Sequence, residues 1–155
     1  MHKKGRKDMR RSLIVFLAGL FVLLAAGGYW LFYGQPAAAA QTPAGRTTAL
    51  VLRRNLRAVN AGSVADYLAT IVPAQRAETR PVIQQTLTKR QATVKLQDFA
   101  VQKQSAAHLT ARVNELQTER RSGRRQVLEA TVDFTRQGGR WYIARLVVVN
   151  AANAG

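Results

Sequence analysis

The chain has 155 residues, room for one domain and little more. Its 24 basic residues against 8 acidic ones give a formal charge of +16, a balance that favours polyanions such as nucleic acid, acidic lipid or anionic wall polymer and says nothing about fold. Cysteine is absent, which excludes disulfides, a thiolate nucleophile and any Cys-ligated metal site.

Residues 1–11, MHKKGRKDMRR, carry six Lys/Arg and one Asp. From Leu13 to Tyr33 there follow 21 residues without a charge, which as a helix span roughly 30 Å, the hydrocarbon thickness of a bilayer. A secretory apolar core is shorter. Residues 12–33 therefore read as a transmembrane anchor, with Leu13, Phe16 and Leu20 in the apolar stretch. Trp30 and Tyr33, beside Tyr29 and Phe32, supply an aromatic belt at the far headgroups. The basic flank keeps residues 1–11 in the cytoplasm, giving a single-pass cell-membrane protein with the remainder extracytoplasmic. A cleaved signal is the alternative, with the small residues of PAAAAQ, Pro36 to Gln41, as its cleavage region.

Residues 34–45, rich in Gly, Ala and Pro, read as a linker to a domain over 46–150, with 151–155 as a disordered tail. Thr42-Pro43 suits a helix start. Ala49, Leu52, Leu56 and Val59 then recur on one helical face until Asn60-Ala61-Gly62 stops it. Ser63 to Asp66 resembles a capping box opening a short helix with Val64, Tyr67, Leu68 and Ile71, ended by Pro73. A third helix is expected from Thr79-Arg80-Pro81 to about Arg90, carrying Val82, Ile83 and Leu87.

After Gln91 the apolar period changes to two, with strands at about 92–104, 107–120, 124–137 and 140–150. Gly138-Gly139 is a two-residue hairpin signal and Ser122-Gly123 a second. With both as two-residue turns, Val113 faces Val132, Phe134 faces Ile143, Ala130 faces Val147 and Leu128 faces Val149. Phe99 and Val101 extend that face, opposite Val113 and Ala111. One apolar face then crosses the strands without a parity error, and amphipathic helices must cover it. The fold class is α+β: an N-terminal transmembrane helix, then a cone-shaped roll of two to three helices packed on a four-stranded antiparallel sheet.

This order resembles the cystatin-like roll of the nuclear transport factor 2-like superfamily, which includes the SnoaL-like proteins. The matching pieces are TTALVLRRNLRAVNAG, SVADYLATIV and the meander ending GGRWYIARLVV, together about residues 43–150. The resemblance is one of pattern and argues fold rather than function. It implies, for small membrane-anchored members, either an exported accessory domain or an assembly subunit of a type IV secretion or conjugation apparatus. Enzymes with this fold tend to use an Asp/His or Tyr/Asp pair deep in the cone.

No such pair is legible. Asp133, Glu129 and Glu115 are expected to point away from the helix-covered face, and His108 stands alone at a strand entrance. No catalytic residue, metal site or cofactor is expected. The expected function is a non-catalytic interaction or ligand-binding module, the alternatives being the assembly subunit and a SnoaL-like enzyme. Arg145 falls on the inward face between Ile143 and Val147, where an arginine needs an anionic partner or a path to water. With Tyr67 and Trp141 it makes a candidate pocket for an anionic small ligand. Tyr142, Leu146, Val148 and Val127 leave the outer sheet face partly apolar, suited to a homodimer or an envelope complex. Arg120, Arg121, Arg124 and Arg125 surround the second turn, and the expected register puts Arg121 opposite Arg124 and Arg120 opposite Arg125. They are candidates for contact with anionic lipid or wall polymer. Few aromatics interleave with the basic residues, so specific nucleic-acid readout is not expected.

Overall fold

The computed structural model describes residues 38–39 and 42–155. The anchor positions Leu13, Phe16, Leu20, Trp30 and Tyr33 lie outside the described residues. Among the described residues no helix is long and apolar enough to cross a membrane.

Helix α1 (Pro43–Ala61) starts as its sequence predicts: the Thr42 hydroxyl accepts from the Gly45 amide at 3.0 Å, and Pro43 occupies the first turn, where its missing N–H costs nothing. It ends at Gly62, whose φ of 71° lets its N–H turn back to the Ala58 and Val59 carbonyls. A Cβ there would also approach Arg90 Nη1 to 2.6 Å, but that guanidinium ends a flexible side chain that can shift, so the positive φ is what requires glycine. Ser63 caps α2 (Val64–Thr70) through the Asp66 amide. A 3-10 turn (Pro73–Gln75) leads into α3 (Arg76–Thr88). Helix α3 begins before the expected Thr79, so Pro81 falls inside it and withholds one backbone donor. Thr79, Ile83 and Leu87 face inward, whereas Val82 is exposed.

Four long antiparallel strands follow in chain order: β2 (Ala92–Gln104), β3 (His108–Glu119), β4 (Arg125–Gln137) and β5 (Arg140–Ala154). A two-residue strand, β1 (Ala38–Ala39), pairs with Val101 and Ala100 on the free edge of β2. Residues 151–154, expected as a disordered tail, extend β5 along the start of β4. The helices cover one sheet face, and Leu52, Leu56, Ile83, Phe99, Ala111, Val113, Val132, Phe134 and Ile143 form the core between them.

Two parts of the expected register hold. Gly138 and Gly139, with φ of 54° and 78°, form the two-residue turn between Gln137 and Arg140, so Phe134 faces Ile143. Phe99 and Val101 face Val113 and Ala111. The β3–β4 turn is longer than expected. Glu119 and Arg124 close a four-residue loop through a 2.9 Å backbone bond, and Val113 faces Ala130 rather than Val132. A shift of two keeps every side chain on its face.

Two bulges in β5 have larger consequences. Ala144 and Val149 are the extra residues, so Asp133 pairs with Arg145, Ala130 with Val148 and Leu128 with Ala151. The first bulge inverts the strand's parity. Leu146 and Val148, expected outside, pack on the core, while Val147 and Val149, expected inside, are exposed. Arg145 is carried to the outer face, which removes it from any pocket in the cone.

Candidate functional site

On β3 the side chains of Leu109, Ala111, Val113, Glu115 and Gln117 all point under the helices. Glu115 is therefore an inward residue. The expectation that it faced solvent is overturned by the plain alternation it shares with Ala111 and Val113. It is 0% exposed, it lies between Leu96 on β2 and Leu128 on β4, and neither carboxylate oxygen has a hydrogen-bond partner among the described residues. Burial without compensation disfavours the anion, and the Glu115 carboxyl is pushed up from 4.5 to about 7. Gln75 Oε1 is likewise buried and unbonded, but its amide is tied through Nε2 to the Ala144 carbonyl at 3.4 Å.

The helices bring a second polar group to this acid. Asn55 lies on the inward face of α1, one turn from Leu52, and is buried. Its Nδ2 donates to Thr70 Oγ1 at 2.7 Å, and the Thr70 hydroxyl donates to the Tyr67 carbonyl at 2.6 Å. Tyr67, placed by the Ser63 cap of α2, packs against the same core. Its phenol is pushed up to about 12, first by burial and further by the charge of Glu115, against a hydrogen bond to the Asn55 side chain that pulls it down. The phenol is thus held protonated, a hydrogen-bond donor within the field of the buried acid. Tyr67, Asn55, Thr70 and Glu115 form a polar patch under the helices, with Thr48, Thr79 and Gln117 the other buried polar residues described.

The expected pocket residues separate. Tyr67 belongs to the patch. Trp141 is buried but lies opposite Arg136, near the other end of β4 from Leu128. Arg145 is outside, its Nε 2.8 Å from Asp133 Oδ2, while Asp133 Oδ1 accepts from the Thr110 hydroxyl at 2.8 Å. Glu129, also outside as expected, lies 3.9 Å from Arg112. His108 is exposed at the start of β3. Among the described residues no group of three His, Cys, Asp or Glu could hold a metal ion.

The arginine tip is also organised differently. Arg124 does not oppose Arg121. Its Nη2 and Nε lie 3.0 Å from Glu119 Oε2, which also accepts from the Ser122 hydroxyl, and these bonds hold the Glu119 carboxyl below its usual range. Arg125 pairs with Thr118. Arg120 reaches back to the Asn60 carbonyl at 3.5 Å, beside Arg90, whose Nη1 is 2.8 Å from the Val59 carbonyl. Both cations sit where the α1 dipole is negative.

Asn55 and Glu115 are the residues that sequence reasoning missed. Each carried a signal: Asn55 follows Leu52 at helical spacing, and Glu115 follows Val113 at strand spacing.

A helix-covered antiparallel sheet of this order is shared with solved structures. A cystatin-like protein of unknown function from Nostoc punctiforme superposes with a TM-score of 0.61 at 15% identity, covering 69% of this chain and 91% of that one. An uncharacterized cystatin-like protein from Caulobacter vibrioides gives 0.57 at 12% identity, covering 68% and 89%. An NTF2-like protein of unknown function from Pseudomonas putida gives 0.53 at 13%, covering 67% and 85%. These likenesses place the domain in the class of cystatin-like, nuclear transport factor 2-like rolls. No curated protein matches the sequence. The model of one family, the C-terminal domain of anti-sigma-I factor RsgI9, matches residues 50–152, and the chain belongs to that family.

Proposed function

We propose that this chain is a non-catalytic binding module, carried outside the cytoplasm on a membrane anchor at residues 12–33, which receives a hydrogen-bond-donating or cationic group of a small ligand against Glu115. The observation that carries the binding reading is the wholly buried carboxylate with no partner for either oxygen. Such a group is costly to keep and finds compensation in a donor or a cation. Tyr67, held protonated, offers the same ligand a donor, so the patch presents both halves of a hydrogen-bonding recognition site. Membership in the family of an anti-sigma-I factor's C-terminal domain fits a module that binds rather than transforms. The anchor reading rests on the 21 uncharged residues and their basic flank.

The alternative is an enzyme that uses Glu115 and Tyr67 as an acid–base pair, an arrangement the SnoaL-like resemblance allows. The raised phenol disfavours it, since with Glu115 as the base Tyr67 must be the acid, and a phenol near 12 gives up its proton poorly at neutral pH.

Two measurements on the full chain test this reading. Resistance to alkaline carbonate extraction, with digestion by protease added outside intact spheroplasts, is expected; release by carbonate removes the anchor. Thermal stabilisation by ammonium, methylguanidinium or acetamide is expected in the wild type and not in Glu115→Gln. Equal responses in the two proteins would remove Glu115 from binding.

A further inference from the structure

Helix α1 buries one face in the core and leaves the other to solvent. Counted from the exposed Leu50, the exposed Arg53, Arg54, Arg57 and Ala61 follow at 3, 4, 7 and 11 residues, the spacing of one helical face. The helix contains no Asp or Glu. Among the described residues none of the Arg53, Arg54 and Arg57 guanidiniums is in an ion pair or a hydrogen bond, whereas Arg112, Arg124 and Arg145 each have a carboxylate. The acids of the neighbouring helices are placed elsewhere: Asp66 accepts from the Ser63 hydroxyl at 2.8 Å, and Glu78 lies in the first turn of α3, which packs on α2. Leu50 is 60% exposed, more than any other large apolar side chain described. The face thus presents a bare leucine among three unpaired arginines.

Resting on the anchor reading above, we propose that this face of α1 lies on the anionic phospholipid headgroups of the membrane that holds the chain, with Arg53, Arg54 and Arg57 on the phosphates and Leu50 entering the acyl boundary. The guanidinium fork matches a phosphate, and a leucine flanked by arginines suits a helix lying in the plane of a headgroup layer. The electrostatic attraction extends about one Debye length, roughly 8 Å in physiological salt, so the face must be held close to the surface. The tether does this. β1 pairs with Val101 and Ala100 at the edge of the sheet. Only residues 34–37 separate Ala38 from Tyr33, the last residue of the uncharged stretch, and that path spans at most about 18 Å when fully extended. A helix is about 10–12 Å thick, so the sheet edge can stand above the headgroups by the thickness of α1 and the tether still reaches. The outer sheet face, with Arg145 and Val147, then points away from the membrane.

The chain lacks cysteine, so single-site labelling tests this directly. Full-length Ala61→Cys, on the α1 face, and Val147→Cys, on the outer sheet face, each carry a fluorophore. Both are reconstituted into vesicles of phosphatidylcholine alone or with phosphatidylglycerol, containing a headgroup nitroxide quencher. Quenching is expected at position 61 with the anionic lipid, reduced in phosphatidylcholine or high salt, reduced by Leu50→Gln, and lost in the Arg53→Glu, Arg54→Glu, Arg57→Glu background. The same charge change placed elsewhere, Arg121→Glu, Arg125→Glu, Arg140→Glu, should leave it as in the wild type, and position 147 should be unquenched throughout. Equal quenching at both positions, equal loss in the two triple variants, or none at 61 while the chain floats with the vesicles, overturns the docking and leaves the anchor intact. Failure to float removes the anchor, and the docking with it.

Discussion

Two carboxylates on neighbouring strands live under opposite conditions. Asp133 on β4 faces out and is partnered at both oxygens, by Arg145 and by the Thr110 hydroxyl. Glu115 on β3 faces in and is partnered at neither. The outward acid has the cation, although a solvent-accessible ion pair is worth at most about 1 kcal/mol. The buried acid, for which a partner would matter most, has none. An arrangement that only served stability would place the two the other way round, and this is why the interior acid is the candidate site and the exterior pair is not.

Four substitutions probe that contrast. Leu128→Ala removes the apolar side chain opposite Glu115 and should cost about 2–5 kcal/mol in denaturant unfolding, as for a fully buried leucine. By admitting water it should also lower the Glu115 titration midpoint, readable by carboxyl NMR. An unchanged midpoint would mean that Leu128 does not set the desolvation.

Glu115→Gln isolates the acid. Its folded pKa, about 7, lies above its ordinary 4.5, so the folded state binds the extra proton and wild-type stability should fall as pH rises from about 4.5 to 7, then level off. The shift corresponds to roughly 3 kcal/mol. Glu115→Gln should therefore be more stable than wild type at pH 8 by up to roughly that amount, with a flat profile between pH 5 and 8. A slope that persists in the variant would place the titrating group elsewhere.

Asn55→Ala removes the 2.7 Å bond to Thr70 and the bond to the Tyr67 phenol. A loss of about 1–2 kcal/mol is expected, together with a further rise of the Tyr67 pKa, followed by ultraviolet titration. A fall would show that the Asn55 bond does not favour the phenolate.

Asp133→Asn should be the mildest, costing less than about 1 kcal/mol because the pair with Arg145 is half exposed. It should leave the pH profile and the Glu115 midpoint unmoved. A loss comparable to that of Leu128→Ala would erase the contrast between the two faces.

Much of this was legible in the chain, and the reasons are local. Thr42-Pro43, Gly62 and Ser63 act on backbone groups within a few residues of themselves, and their caps stand where the sequence puts them. Gly138-Gly139 supplies the positive φ values its turn requires. Alternation along β3 and β4 assigns the inner face, and properly counted it also assigns Glu115, whereas β2 carries register shifts between Leu96 and Asp98 and between Val101 and Lys103 that interrupt its alternation. The bulges in β5 were not legible. An extra residue at Ala144 costs one ladder bond locally, and only the fit of Leu146 and Val148 against the roofed core decides that it occurs there. That single residue turned Arg145 from a pocket cation into the outer partner of Asp133. In the same way, four arginines in RRSGRR suggest an anion site until the loop length puts Glu119 against Arg124. The sequence by itself determined the helix ends, the order of the strands and a net charge seeking anions, because these depend on near neighbours or on a sum. Which acid goes unpaired, and which pairs with Arg145, depends on residues far apart in the chain meeting across a sheet. Only the tertiary structure decided those.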